Sequence, residues 1–126
     1  MKTLALVGVA LVSALHFYIL ILEMFLWQKP IGLRTFRQSP ENARASAKLA
    51  LNQGLYNGFL AVGLALSFFF NDPQVALSFQ AYFLACVIAA GILGGATANR
   101  RIFYVQGLPA ILTLLLLWAS QIRVTT

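Results

Sequence analysis

Apolar residues in this chain fall into four long runs, and the polar ones collect in three short breaks between them. The runs cover about residues 4–27, 47–70, 75–96 and 102–119. A helix needs roughly 20 mainly apolar residues to cross about 30 Å of hydrocarbon, and all four runs fall in that range. Period-two alternation is absent, and lipid tolerates no open sheet edge, so strands are excluded. The pattern predicts an all-α integral membrane protein, with four transmembrane helices in a compact antiparallel bundle and one domain over residues 1–126.

The breaks support this division. Lys29-Pro30 follows Trp27, an interfacial aromatic, and proline disfavours helix in the residue before it. Ser39-Pro40-Glu41 reads as a helix start, with Ser39 at the cap, Pro40 in the first turn and an acid behind it. The second helix is expected to begin there, in water, and to enter the membrane near Lys48. Residues 28–46 read as a basic loop. Asn71-Asp72-Pro73 is a tight turn, and Asn99-Arg100-Arg101 is the turn before the last span. Lys2, the apolar stretch after it and Val12-Ser13-Ala14 imitate a signal peptide. The apolar run continues to Trp27, however, too long for a signal's core, so an uncleaved first helix is expected.

Composition narrows the class further. The chain is 60% hydrophobic and 10% charged, with a mean hydropathy of +0.82, against about 45–50% apolar in soluble domains. One small domain cannot hide that much apolar surface from water. Cys86 is the only cysteine, which excludes a disulfide scaffold. Of the nine basic residues, Lys29, Arg34, Arg37, Arg44, Lys48, Arg100 and Arg101 lie on one side, and only Lys2 and Arg123 on the other. The positive-inside rule makes the richer side cytoplasmic, with both termini outside. No base-reading or stacking surface accompanies the +6 charge, so nucleic acid is not expected as a partner.

Polar residues inside the spans are costly, and each invites a functional hypothesis. His16 and Glu23 are seven apart on the first run, so they share a face with Leu20 and Trp27. Asn52, Gln53 and Asn57 lie in the second run, Gln106 in the fourth, and Gln80 near the outer end of the third. At about 1.5 Å per residue, Glu23, Asn52 and Gln106 sit roughly 6–8 Å inside the cytoplasmic edge, and His16 and Asn57 roughly 13–16 Å inside. This layering predicts that Glu23 bonds an amide of Asn52 or Gln53, that Gln106 lines the same space, and that His16 lies near Asn57. Such a convergence can line a polar cavity between the first, second and fourth spans, or can simply bond helices together. Pro109 in Gly107-Leu108-Pro109 leaves the Val105 carbonyl without its donor and kinks the last helix. Gly54 with Gly58, Gly91 with Gly95, and Ala81, Ala85 and Ala89 give small-residue seams, within one chain or between chains.

The inventory also excludes chemistries. One cysteine makes no CxxC pair, one histidine no bis-imidazole haem site, and no Glu-x-x-His pair exists for a di-iron centre. No metal and no cofactor is expected. Ser13 has no obvious catalytic partner and is expected to bond its own helix backbone. Cys86 reads as inert filler.

Three segments carry a family resemblance: the run from His16 through Glu23-Met24-Phe25 to Trp27, Asn52-Gln53-Gly54-Leu55-Tyr56-Asn57-Gly58, and Val105-Gln106-Gly107 with Pro109. Together they resemble a family of small bacterial membrane proteins catalogued as domain of unknown function 1304. The resemblance implies a four-span protein of the bacterial cytoplasmic membrane and brings no substrate, cofactor or catalytic residue. On the residues alone, the leading expectation is a protein that binds or moves a small lipophilic or amphipathic molecule, with or without protons. His16, Glu23, Asn52, Gln53, Asn57 and Gln106 are the candidates to hold it. The alternatives are an accessory subunit docked in a homo-oligomer or larger membrane complex, and a membrane enzyme using Glu23 or His16 as acid or base on a lipid-like substrate.

Overall fold

Three helices start where the sequence supplies a side-chain cap. In the computed structural model, which describes residues 1–122, the Ser39 hydroxyl accepts the Asn42 N–H at 3.2 Å and opens a helix over Pro40–Leu66. Asp72 opens Pro73–Thr97 by accepting from Gln74 N–H at 2.8 Å, and Asn99 opens the helix at Arg100 by accepting from Arg101 N–H at 2.9 Å. Each oxygen satisfies a first-turn donor that has no intrahelical partner, and proline at the first position wastes none.

The elements are α1 (Lys2–Met24), α2 (Pro30–Phe36), α3 (Pro40–Leu66), α4 (Pro73–Thr97), α5 (Arg100–Ile102) and α6 (Leu108–Ile122). A 3₁₀ turn, Ser67–Phe69, extends α3, and a π-helical turn, Phe103–Gly107, joins α5 to α6 in one rod. Among the described residues, four helices are long and apolar enough to cross a membrane: Lys2–Met24, Pro40–Phe69, Pro73–Thr97 and Arg100–Ile122. No strand occurs among those residues. Arg123 lies outside them.

α1 packs against α3 and α6, and α4 packs against α3 and the last rod. Cross-helix pairs run antiparallel throughout. Glu23 meets Asn57 and Ser13 meets Ala61, while Gln80 meets Ser67, Gly91 meets Gly107 and Gly8 meets Thr113. The bundle is therefore a closed ring in which α3 and the last rod lie on a diagonal. Its centre holds Ala5, Val9, Val12, Leu64, Leu84, Val87, Ala110 and Leu117. Large apolar side chains such as Leu11, Phe69, Leu93 and Leu115 point outward. Alanine, valine and leucine fill the inside, and large apolar residues also cover the outside, a distribution compatible with lipid around the helices.

Three local features differ from the sequence reading. α1 stops at Met24 rather than running to Trp27. Trp27 folds back instead, donating from Nε1 to Ser46 Oγ at 3.2 Å and lying 4.7 Å from the Phe36 ring. The expected loop over 28–46 contains α2, with Pro30 at its first position and Arg37 ending it in the left-handed region at φ 51°. Seven residues are too few to show helical periodicity, so α2 is invisible as a pattern. Its place depends on Gly32, where a Cβ would run into the Leu26 and Trp27 carbonyls. The expected kink at Pro109 takes the form of the π-helical turn, in which Leu108 N–H reaches back to the Phe103 carbonyl.

The glycine seams act within the chain. A Cβ on Gly58 would lie 2.6 Å from Leu20 Cδ1, and one on Gly91 would lie 2.7 Å from the Cα of Gly107. The alanine seam behaves differently, because Ala85 and Ala89 face outward.

Candidate functional site

Gly54, Asn57, Gly58 and Ala61 recur at helical spacing and form the face of α3 that meets α1. Gly54 and Gly58 lack side chains, so α1 comes close. A Cβ on Gly54 would stand 3.1 Å from Glu23 Cβ. This approach delivers Asn57 to Glu23. Its Nδ2 donates to Glu23 Oε2 at 2.7 Å and also to the carbonyl of Gln53 at 3.1 Å. Both amide protons thus have acceptors, which sets the orientation of the Asn57 side chain.

The partner expected for Glu23 was Asn52 or Gln53, and the structure corrects this to Asn57. At about 100° per residue, Asn52 points away from the α1-facing stripe and Gln53 lies about a quarter turn off it. Both side chains are exposed. Equal depth does not bring residues together when they stand on different faces.

Glu23 also lines an open pocket of about 490 Å³ at the end of the bundle where α1 gives way to α2. Trp27 and Lys29 form one wall with Glu23, and Ala47, Lys48 and Leu51 form the other. Three ionisable side chains share this space: the Glu23 carboxyl and the Lys29 and Lys48 amines. Among the described residues the one ion pair is Arg44 with Glu41 at 3.9 Å, so Glu23 has no cationic partner. Gln106 is absent from the pocket lining, and the space opens between α1 and α3. This corrects the expected cavity among spans one, two and four.

His16 is fully buried. Its Nδ1 lies 2.8 Å from the Val12 carbonyl. A carbonyl can only accept, so Nδ1 carries the proton and Nε2 presents a lone pair. That Nε2 has no hydrogen-bond partner. Gln106, inside the π-helical turn, lies beside the imidazole without closing a hydrogen bond of good geometry. The expected pairings are therefore exchanged: Glu23 goes with Asn57, and His16 goes with Gln106. The cause is the ring order of the helices. α1 has α3 on one flank and the last rod on the other, so residues two turns apart on one face can find different neighbours.

Besides the Trp27–Ser46 hydrogen bond, two more polar contacts escaped the sequence reading. Ser13 Oγ donates to the Ala61 carbonyl on α3 at 2.8 Å, rather than to its own helix. Gln80 donates to Ser67 Oγ at 3.2 Å across α3 and α4. The available signal was position: Ser13 stands four residues from Val9 on the face that α1 turns inward.

The profile of a family described as "Protein of unknown function (DUF1304)" matches residues 10–118. The chain belongs to this family. Among its relatives is the uncharacterised protein YpaA of Lactococcus lactis subsp. lactis (strain IL1403), 33% identical over 117 residues, which are 91% of this chain and 97% of the relative. No solved structure matches. The region matched to DUF1304 takes in all six candidate residues and both walls of the pocket.

Proposed function

We propose that this DUF1304 protein is a multi-pass protein of the bacterial cytoplasmic membrane that binds a small amphipathic molecule in the pocket beside Glu23. One observation carries the reading. A carboxylate on a helix able to span a membrane is oriented by Asn57, lacks a cation and faces an open pocket of about 490 Å³. Pockets for small molecules run from about 300 to 1,000 Å³ and set a few polar groups into apolar walls. Here Met24, Phe25 and Leu51 supply the apolar wall. Glu23 is the group that would hold a cation or exchange a proton. His16 lies too far along α1 to share that ligand, about 10.5 Å by helical rise.

Sidedness follows from charge. The antiparallel bundle brings Lys29, Arg34, Arg37, Arg44, Lys48, Arg100 and Arg101 to one end and leaves Lys2 at the other. On the positive-inside rule the pocket opens to the cytoplasm. A C-terminal tag should be labelled in intact cells without permeabilisation, and labelling only after permeabilisation would reverse the orientation.

Binding is tested by native mass spectrometry of the protein released from nanodiscs. A retained small molecule is expected, and it should be lost when Leu51→Trp fills the pocket. No retained mass, together with no thermal shift on adding amphiphiles, would remove the reading. A second reading has one observation in its favour. Ala85 and Ala89 form an outward small-residue strip on α4 next to exposed Tyr82 and Leu93, where another membrane helix could dock. Cysteine cross-linking at Ala85 tests it.

A further inference from the structure

We propose that the pocket selects a small zwitterion with an apolar part, its ammonium group directed inward to Glu23 and its anionic group outward to Lys29 and Lys48. The chemistry is that of an apolar α-amino acid or short apolar peptide. This inference rests on the binding reading above and adds the class of ligand.

The charges of the pocket are ordered along the bundle. Glu23 stands level with Gly54, since a Cβ on Gly54 would lie 3.1 Å from Glu23 Cβ. Lys48 is six residues nearer the start of α3, about 9 Å along its axis. Lys29 lies beyond the end of α1, next to α2. The carboxylate is therefore the inner charge and both ammonium groups lie at the mouth. Glu23 makes no ion pair with either lysine, although all three line one space. An ionised carboxylate offers about four acceptor sites, and Asn57 takes one of them, on Oε2. A ligand ammonium can take those that are left.

Trp27 adds a second element of recognition. Its ring is held by the Ser46 hydrogen bond and by Phe36, so it presents a fixed aromatic wall to the pocket. A cation beside such a wall gains from the ring's negative face. Met24, Phe25 and Leu51 leave apolar area for the ligand's side chain.

The order of charges separates this ligand from a bilayer aminophospholipid. In such a lipid the acyl chains lie deepest, then the phosphate, and the amine lies outermost. The pocket asks for the amine inside and the anion outside, which a lipid standing in the leaflet presents in reverse. An α-amino acid carries both groups on one carbon and can satisfy the order.

The test uses the full chain in nanodiscs with four probes: phenylalanine, N-acetylphenylalanine, phenylalaninamide and a lipid with an ethanolamine headgroup. Phenylalanine is expected to bind most tightly. Removing either charge should weaken binding by about tenfold, as loss of one charge-assisted hydrogen bond does. Glu23→Gln keeps an acceptor for Asn57 and should fold. It should abolish the preference for phenylalanine over its N-acetyl form while keeping the preference over the amide. Lys48→Gln should weaken the second preference and spare the first. Equal binding of all probes to the native protein and both variants would overturn the zwitterion inference and leave the binding reading in place. Preferential retention of the ethanolamine lipid would overturn it in favour of a lipid. Binding of no probe, with no retained mass, would overturn both readings.

Discussion

Two glycine-built contacts lie on opposite sides of the helix ring, and they do opposite things. Between α1 and α3, Gly54 and Gly58 face the side chains of Met24, Glu23 and Leu20. Between α4 and the last rod, Gly91 faces Gly107, backbone against backbone. The second contact is sealed by main chain and has no side chain that can yield. In the first, one helix keeps its side chains, and the contact holds a carboxylate and opens beyond it into a pocket. The same residue type thus fixes a helix distance in one place and makes room for chemistry in the other. The difference lies in what stands opposite the glycine.

The largest effect is expected at the sealed contact. Gly91→Ala would place a Cβ 2.7 Å from the Gly107 Cα, where only a helix shift gives relief. The expected destabilisation is about 1–3 kcal/mol, as for overpacked cores. It should show as a lower midpoint of unfolding in detergent.

Asn57→Leu comes next. It removes the donor to Glu23, and a polar group left unsatisfied costs about 1–3 kcal/mol when buried. The pocket is open, so water can replace the amide and the cost should fall at the low end, about 1 kcal/mol. The same unfolding measurement tests this, and a loss as large as that of Gly91→Ala would mean that Glu23 is sealed rather than open.

Gly58→Ala is the counterpart of Gly91→Ala. Its Cβ meets only the flexible tip of Leu20 at 2.6 Å. Alanine also gains about 0.8–1 kcal/mol of helix propensity over glycine. The two terms oppose, and the net change should lie within about 0.5 kcal/mol. A large loss at Gly58 would erase the contrast between the contacts.

The smallest effect is expected for Asn52→Leu. Asn52 is exposed and off the α1-facing stripe, so stability should change by less than about 0.5 kcal/mol. Ligand retention should be unaffected. A loss of retention would bring Asn52 back into the site.

Much of the fold was legible because long apolar runs and backbone capping follow strong local rules. The number of long apolar helices, the helical character and the cap at Ser39 follow from run length and from the need to satisfy backbone donors locally, whereas Asp72 was read as a turn residue and also caps a helix. The charged side of the chain was legible for the same reason, since basic residues gather at one end of the runs. The short α2 was not, because its place depends on Gly32 fitting against the Leu26 and Trp27 carbonyls.

The candidate residues were legible as an inventory, and their partners were not. Sequence depth put Glu23 beside Asn52 or Gln53, but depth is a coordinate along the helix axis and carries no rotation. Only the packed helices decided that Asn57 faces Glu23, that Gln106 faces His16, and that Ser13 reaches Ala61. Which face a helix turns inward is set by the close fit of small residues against a particular neighbour. The sequence by itself thus determined which long apolar helices form and which polar groups they carry. The tertiary structure decided which of those groups meet, because that depends on the rotation and ring order of the helices.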